Sequence, residues 1–221
     1  MEYTINIKGR LMDLSTPQVM GILNVTPDSF YSGSRKQTEM EIAQRANQII
    51  EEGGSIIDVG AFSTRPGANE VSEEEEGRRL KFALDIVRRE QPDAAVSVDT
   101  YRPTLARKCI EEWGADIIND VSEGGITGIV NVPLEQRQEE YPEMFRVVGE
   151  LKVPYILMSV QPTLETMMKG FAKEVQQLRD LGAKDIILDP GFCFGKNLIQ
   201  NYQIYNEMEK LNVMELPVLV G

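Results

Sequence analysis

Five apolar runs in this 221-residue chain end on a carboxylate or a carboxamide. Asn24 follows residues 19–23, Asp58 lies near the end of 56–59, and Asp99 follows 95–98. Asn119 and Asp120 follow 117–118, and Asp189 follows 186–188. Side chains of this kind accept hydrogen bonds and, when gathered in one cavity, orient a ligand rich in N–H donors. Each has a plainer use singly, because Asp and Asn after a strand commonly cap a helix or open a turn. Recurrence at five strand ends favours a shared site. The chain contains no histidine, which excludes Ser-His-Asp triads, histidine general bases and histidine metal sites.

The elements that must position these groups are legible in outline. Continuous Val- and Ile-rich runs at 19–23, 56–59, 95–98, 117–118, 155–158, 186–188 and 218–220 predict strands buried on both faces, as in a parallel sheet. The longer segments between them carry helix punctuation. Thr38 with Glu41, and Ser72 with Glu75, have capping-box spacing; Pro103 suits a first helical position; Gly114 and Gly182 suit stops. The acidic run from Glu73 to Glu76 reads as a solvated first turn. Seven strand–helix units without a linker or a shift in composition predict one α/β domain over 1–221. The architecture expected is a (β/α)8 TIM-barrel-like fold that stops after strand seven, preceded by a short N-terminal hairpin of 3–7 and 10–14 around Lys8-Gly9. An open doubly wound sheet satisfies the same periodicity. In a barrel, every strand's C-terminal end opens on one mouth, so the acids and amides would meet there.

Composition narrows the partners. With 35 acids against 23 bases the formal net charge is −12, which disfavours nucleic acid and anionic membrane surfaces. No apolar stretch approaches the roughly 18 residues of a membrane span. The opening Met1-Glu2-Tyr3-Thr4 lacks the basic flank and apolar core of a signal peptide. Two cysteines, Cys109 and Cys193, make no disulfide framework and fit a reducing compartment, so a cytoplasmic location is expected.

Three loops after the strand ends are polar, small-residue-rich or both. The first runs from Asn24 through Pro27 and Phe30 to Gly33. The second, 60–68, sets the lone Arg65 among turn formers. The third, 189–196, could offer backbone amides and the faces of Phe192 and Phe194 to a flat ligand. Loops of this type on an active face commonly act as lids. Pro27 or Gly67 alone would be an ordinary turn former, and either phenylalanine alone ordinary core.

Seven segments together resemble the dihydropteroate synthases of the pterin-binding barrel family: MGILNVTPDSFYSG from Met20, IIDVGAFSTRPGA from Ile56, VSVDTYRP from Val96, GADIINDVS from Gly114, KVPYILM from Lys152, DIILDPGFCFGK from Asp185 and PVLVG from Pro217. The resemblance implies a transferase of folate biosynthesis that condenses hydroxymethyl-dihydropterin pyrophosphate with para-aminobenzoate and releases pyrophosphate. It implies a pterin site of Asp99, Asn119 and Asp189 with Met158 and Phe194, and places Asn24, Asp58 and Asp99 at the reacting end. Asn24 would meet Mg2+ or the pyrophosphate. Phe30, Thr64, Arg65 and Pro66 would contribute to the aminobenzoate pocket. A homodimer is also implied. The family's Met-His-Met after strand five is Met158-Ser159-Val160 here, and its Ser-Arg-Lys segment and strand-eight Arg and His would fall beyond Gly221. Alternatives within the same resemblance are a divergent or truncated pterin-binding protein with little catalysis, and a methyltetrahydrofolate-type methyltransferase module.

Overall fold

The computed structural model describes residues 3–25, 35–62, 71–125 and 141–221, and its contacts divide the chain into two units. One comprises Thr16–Asn119; the other comprises Met1–Ser15 with Asp120–Gly221.

In the Thr16–Asn119 unit, strands alternate with helices: β3 (Met20–Asn24), α1 (Arg35–Glu51), β4 (Ile56–Gly60), α2 (Glu73–Glu90), β5 (Ala95–Asp99), α3 (Pro103–Glu111) and β6 (Ile117–Asp120), whose last residue enters the other unit. The strands pair in parallel in sequence order. In β4, β5 and β6 the apolar side chains Ile57, Val59, Val96, Val98, Ile117 and Ile118 are wholly buried, which accounts for runs without alternation. The 19–23 run is a correction, because Val19 and Ile22 are exposed and Leu23 is buried. Helix ends follow the punctuation in most cases. Ser72 caps α2 by accepting the Glu75 amide, Pro103 opens α3, and Gly114 has φ +86° after α3. Thr38 is a correction: it lies buried inside α1, not at its cap.

The other unit holds the hairpin of β1 (Thr4–Ile7) and β2 (Arg10–Asp13), then α4 (Glu143–Leu151), β7 (Tyr155–Met158), α5 (Leu164–Asp180), β8 (Ile186–Asp189), α6 (Leu198–Glu207) and a 3-10 helix (Met208–Met214). Lys8 and Gly9 at φ +49° and +85° make the tight two-residue turn, with Ile5 and Ile7 buried. The β7 and β8 strands are parallel, with Met158 opposite Asp189. The strand expected at 218–220 is reduced to one parallel bridge, Val218 to Leu188. Among the described residues, no helix is long and apolar enough to cross a membrane.

Candidate active site

Strand register builds a cluster in the Thr16–Asn119 unit. Asn24 stands opposite Gly60, Gly60 opposite Asp99, and Asp99 opposite Asn119, so one row crosses four strands at their C-terminal ends. Two residues earlier, Asp58 stands opposite Ser97. Strand side chains repeat every second residue, so Asp58, Ser97, Asp99, Asn119 and Asn24 share one face. The absence of a side chain at Gly60 is what lets them converge. A Cβ there would lie 2.7 Å from Asn24 Oδ1 and 3.4 Å from Asp99 Oδ2.

This cluster holds buried polar atoms left unmatched among the described residues, the Ser97 hydroxyl included. Asn119 Nδ2 donates to Asp58 Oδ2 at 3.2 Å. The buried oxygens Asp58 Oδ1 and Asn119 Oδ1 have no hydrogen-bond partner among the described residues. An unpaired buried acceptor costs about 1–3 kcal/mol, so such a pair marks a place where a ligand supplies the donors. Burial pushes the Asp58 carboxyl up, and the Ser97 hydroxyl and Asn119 amide partly offset it.

Behind it, Glu76 ties two loops together. Glu76 is fully buried in the first turn of α2, which corrects its reading as part of a solvated run. It accepts from Thr100 Oγ1 at 2.6 Å and Arg102 Nε at 2.8 Å, while Arg102 also donates to the Val71 carbonyl at 2.7 Å. The Phe62 and Tyr101 rings meet edge to face at 5.0 Å. This cluster holds Phe62 and Val71 against the connection between β5 and α3.

The other unit carries a second set at the ends of β6, β7 and β8. Asp120 accepts from Ser122 N and Oγ at 2.8 and 2.5 Å, Gly124 N at 2.8 Å and Tyr155 Oη at 2.7 Å. With its acceptor capacity used in this way, Asp120 organises the loop and offers a ligand little. Asp189 accepts the Gly191 amide at 2.7 Å; burial raises its carboxyl to about 6, against the pull of that amide and of Lys196. Met158 is buried beside Asp189 in the ladder, and Phe194 is half-buried in the following loop.

Of the predicted residues, Asn24, Asp58, Asp99 and Asn119 come together in one unit, and Asp189 and Met158 pair in the other. Phe30, Thr64, Arg65 and Pro66 lie outside the described residues, as does most of the long 125–140 connection. Ser97, Glu76, Glu123 and Lys196 were missed as contributors. Their signal was weak: a serine inside an apolar strand, one glutamate in an acidic run, an acid before Gly124-Gly125, and a lysine closing a loop. Among the described residues, no three Cys, Asp or Glu side chains gather to hold a metal unaided. Asn24 Oδ1 and the Asp99 carboxylate converging over Gly60 are oxygen donors of the type Mg2+ takes when substrate phosphate and water complete its shell.

Comparison with known proteins agrees in sequence and in fold. A family described as pterin binding enzyme matches residues 20–221. The dihydropteroate synthase of Escherichia coli strain K12 is 36% identical over 97% of this chain and 75% of its own length. The Xanthomonas albilineans dihydropteroate synthase with 4-aminobenzoic acid aligns with a TM-score of 0.84 at 30% identity, covering 100% of this chain and 78% of that one. The same enzyme in complex with 7,8-dihydropteroate aligns with a TM-score of 0.80 at 27% identity, over 99% of this chain and 77% of that one. The α/β fold, with its parallel strands and short N-terminal hairpin, is the one the sequence predicted.

Proposed function

The chain belongs to the pterin-binding enzyme family, and from that premise we propose how its residues carry out the dihydropteroate synthase reaction. The function is transfer of the dihydropterin-methyl group from the pyrophosphate ester of hydroxymethyl-dihydropterin to para-aminobenzoate. The aminobenzoate nitrogen attacks the pterin methylene carbon, the carbon–oxygen bond to pyrophosphate breaks, and the amine gives up a proton. An arylamine is neutral near pH 7, so no histidine or other strong base is required.

Asp99, Asn119 and Asp58 are assigned to the ring donors, and Asp189, Met158 and Phe194 are assigned to the pterin by resemblance alone. Charge-assisted hydrogen bonds from ring N–H groups to fixed carboxylates orient the methylene carbon for attack. The observation that carries this assignment is the pair of unmatched buried oxygens, Asp58 Oδ1 and Asn119 Oδ1, on the face of the Asn24–Gly60–Asp99–Asn119 row. Asn24 is assigned to the pyrophosphate end, where its side-chain oxygen would hold Mg2+. Bound there, the metal would supply charge neutralisation at the leaving oxygen. Phe30, Thr64, Arg65 and Pro66 are assigned to the aminobenzoate side by resemblance alone. A cytoplasmic homodimer completes the reading. Exposed Leu198, Ile199, Tyr202 and Tyr205 on α6 support self-association, and sedimentation of the purified chain tests it.

Calorimetric titration with hydroxymethyl-dihydropterin tests the assignment directly. Asp99→Asn keeps the shape and removes the charge, so pterin affinity should fall about 10- to 100-fold. Wild-type affinity in that variant would remove Asp99 from the site.

A further inference from the structure

The loops after β6, β7 and β8 are joined by groups that the reaction above leaves unused. Lys196 Nζ donates to the carbonyls of Ser159 at 2.7 Å, Gly191 at 2.9 Å and Phe194 at 3.1 Å. All three ammonium hydrogens therefore end on backbone oxygens, one after β7 and two after β8. The two loops touch backbone to backbone. A Cβ on Gly191 (φ +62°) would lie 2.3 Å from the Ser159 carbonyl oxygen, and one on Gly195 (φ +64°) 3.1 Å from that of Val160. From the other side, the buried Glu123, itself in the left-handed region at φ +51°, accepts the Val160 amide at 2.9 Å. Asp189 and Phe194 belong to the clamped loop, so its placement sets theirs.

We propose that Lys196 is a positioning residue for the pterin half of the reaction, bridging the Ser159, Gly191 and Phe194 carbonyls so that Asp189 and Phe194 are held where the ring binds. The inference rests on the function proposed above. Three converging carbonyl dipoles call for a compact cation with three donors, which a lysine ammonium supplies and a planar guanidinium does not. Glu123 from the β6 loop, Asp189 from β8 and Cys193 from the same loop act on its charge, with Asp120 and Glu174 behind Glu123. Burial outweighs them and brings Lys196 down to about 8. Proton loss leaves two donors for three carbonyls and removes the cation beside Glu123 and Asp189. Pterin affinity should therefore decline as pH rises through about 8.

The test compares wild type with Lys196→Met by pterin calorimetry and by KM for each substrate, repeated from about pH 6.5 to about pH 9.5. The expected result is pterin binding weakened about 10- to 100-fold, KM for aminobenzoate unchanged, and loss of the decline near pH 8. A decline caused by titration of the ligand would persist in the variant. A folded Lys196→Met chain with wild-type pterin affinity, or with both KM values raised alike, overturns the proposal. Should the variant fail to fold, hydrogen exchange of wild type decides: the Gly191 and Phe194 amides should lose protection through the same pH, and constant protection refutes the clamp. A wild-type chain that binds no pterin refutes the function, and the positioning role with it. In that case the exchange result shows whether the clamp exists on its own.

Discussion

Replacing Gly60 with alanine separates the geometry of the reacting end from the stability of the fold. The added methyl would sit 2.7 Å from Asn24 Oδ1, whereas ordinary contact begins at 3.4 Å, so the Asn24 oxygen must retreat by about 0.7 Å. Asn24 is exposed and its side-chain end can move, so overpacking should cost only about 1 kcal/mol. Loss of glycine's freedom in the unfolded chain returns about 0.4–1 kcal/mol, since Gly60 does not occupy the left-handed region. The two effects nearly cancel, and the melting temperature should move by no more than about 4 °C. Catalysis responds differently. Misplacing a contributing group by about 1 Å can cost about 100-fold in rate, so a retreat of this size predicts a turnover loss of about 10- to 100-fold. Pyrophosphate release measures turnover, and thermal denaturation of the same preparation measures stability. Turnover within about twofold of wild type at an unchanged melting temperature would show that Asn24 and the space over Gly60 lie outside the reacting region.

Two further outcomes follow from Asn24 and Asp189. Turnover should be abolished by EDTA and restored by Mg2+; full activity in excess chelator would remove the metal from Asn24. Burial raises the Asp189 carboxyl from 3.8 to about 6, so the apo chain loses this group's stabilisation as pH rises through about 6. Pterin affinity should change in the opposite sense over that interval, rising as the carboxylate forms. The Asp189→Asn variant should show neither limb in calorimetry or melting, and a limb near 6 that survives it belongs to another group.

What the amino-acid sequence determined by itself was the set of elements and the polar groups at their ends. Buried parallel strands leave a local mark, because every position in them must be apolar, and a polar residue at the end of such a run stands out. Asn24, Asp58, Asp99, Asn119 and Asp189 were legible for that reason. Their pairing was not. Asn119 and Asp120 are adjacent and equally polar. Strand alternation puts Asn119 on the face of Asp99, while Asp120 is taken up by Ser122, Gly124 and Tyr155, the last of these 35 positions away. Glu76 looked like its three acidic neighbours until Thr100 and Arg102 buried it. Lys196 closed an unremarkable loop until three carbonyls from two loops met its ammonium group. Only the tertiary structure decided these roles, because the free energy of a buried charge depends on partners brought near by folding, and sequence distance carries no record of them.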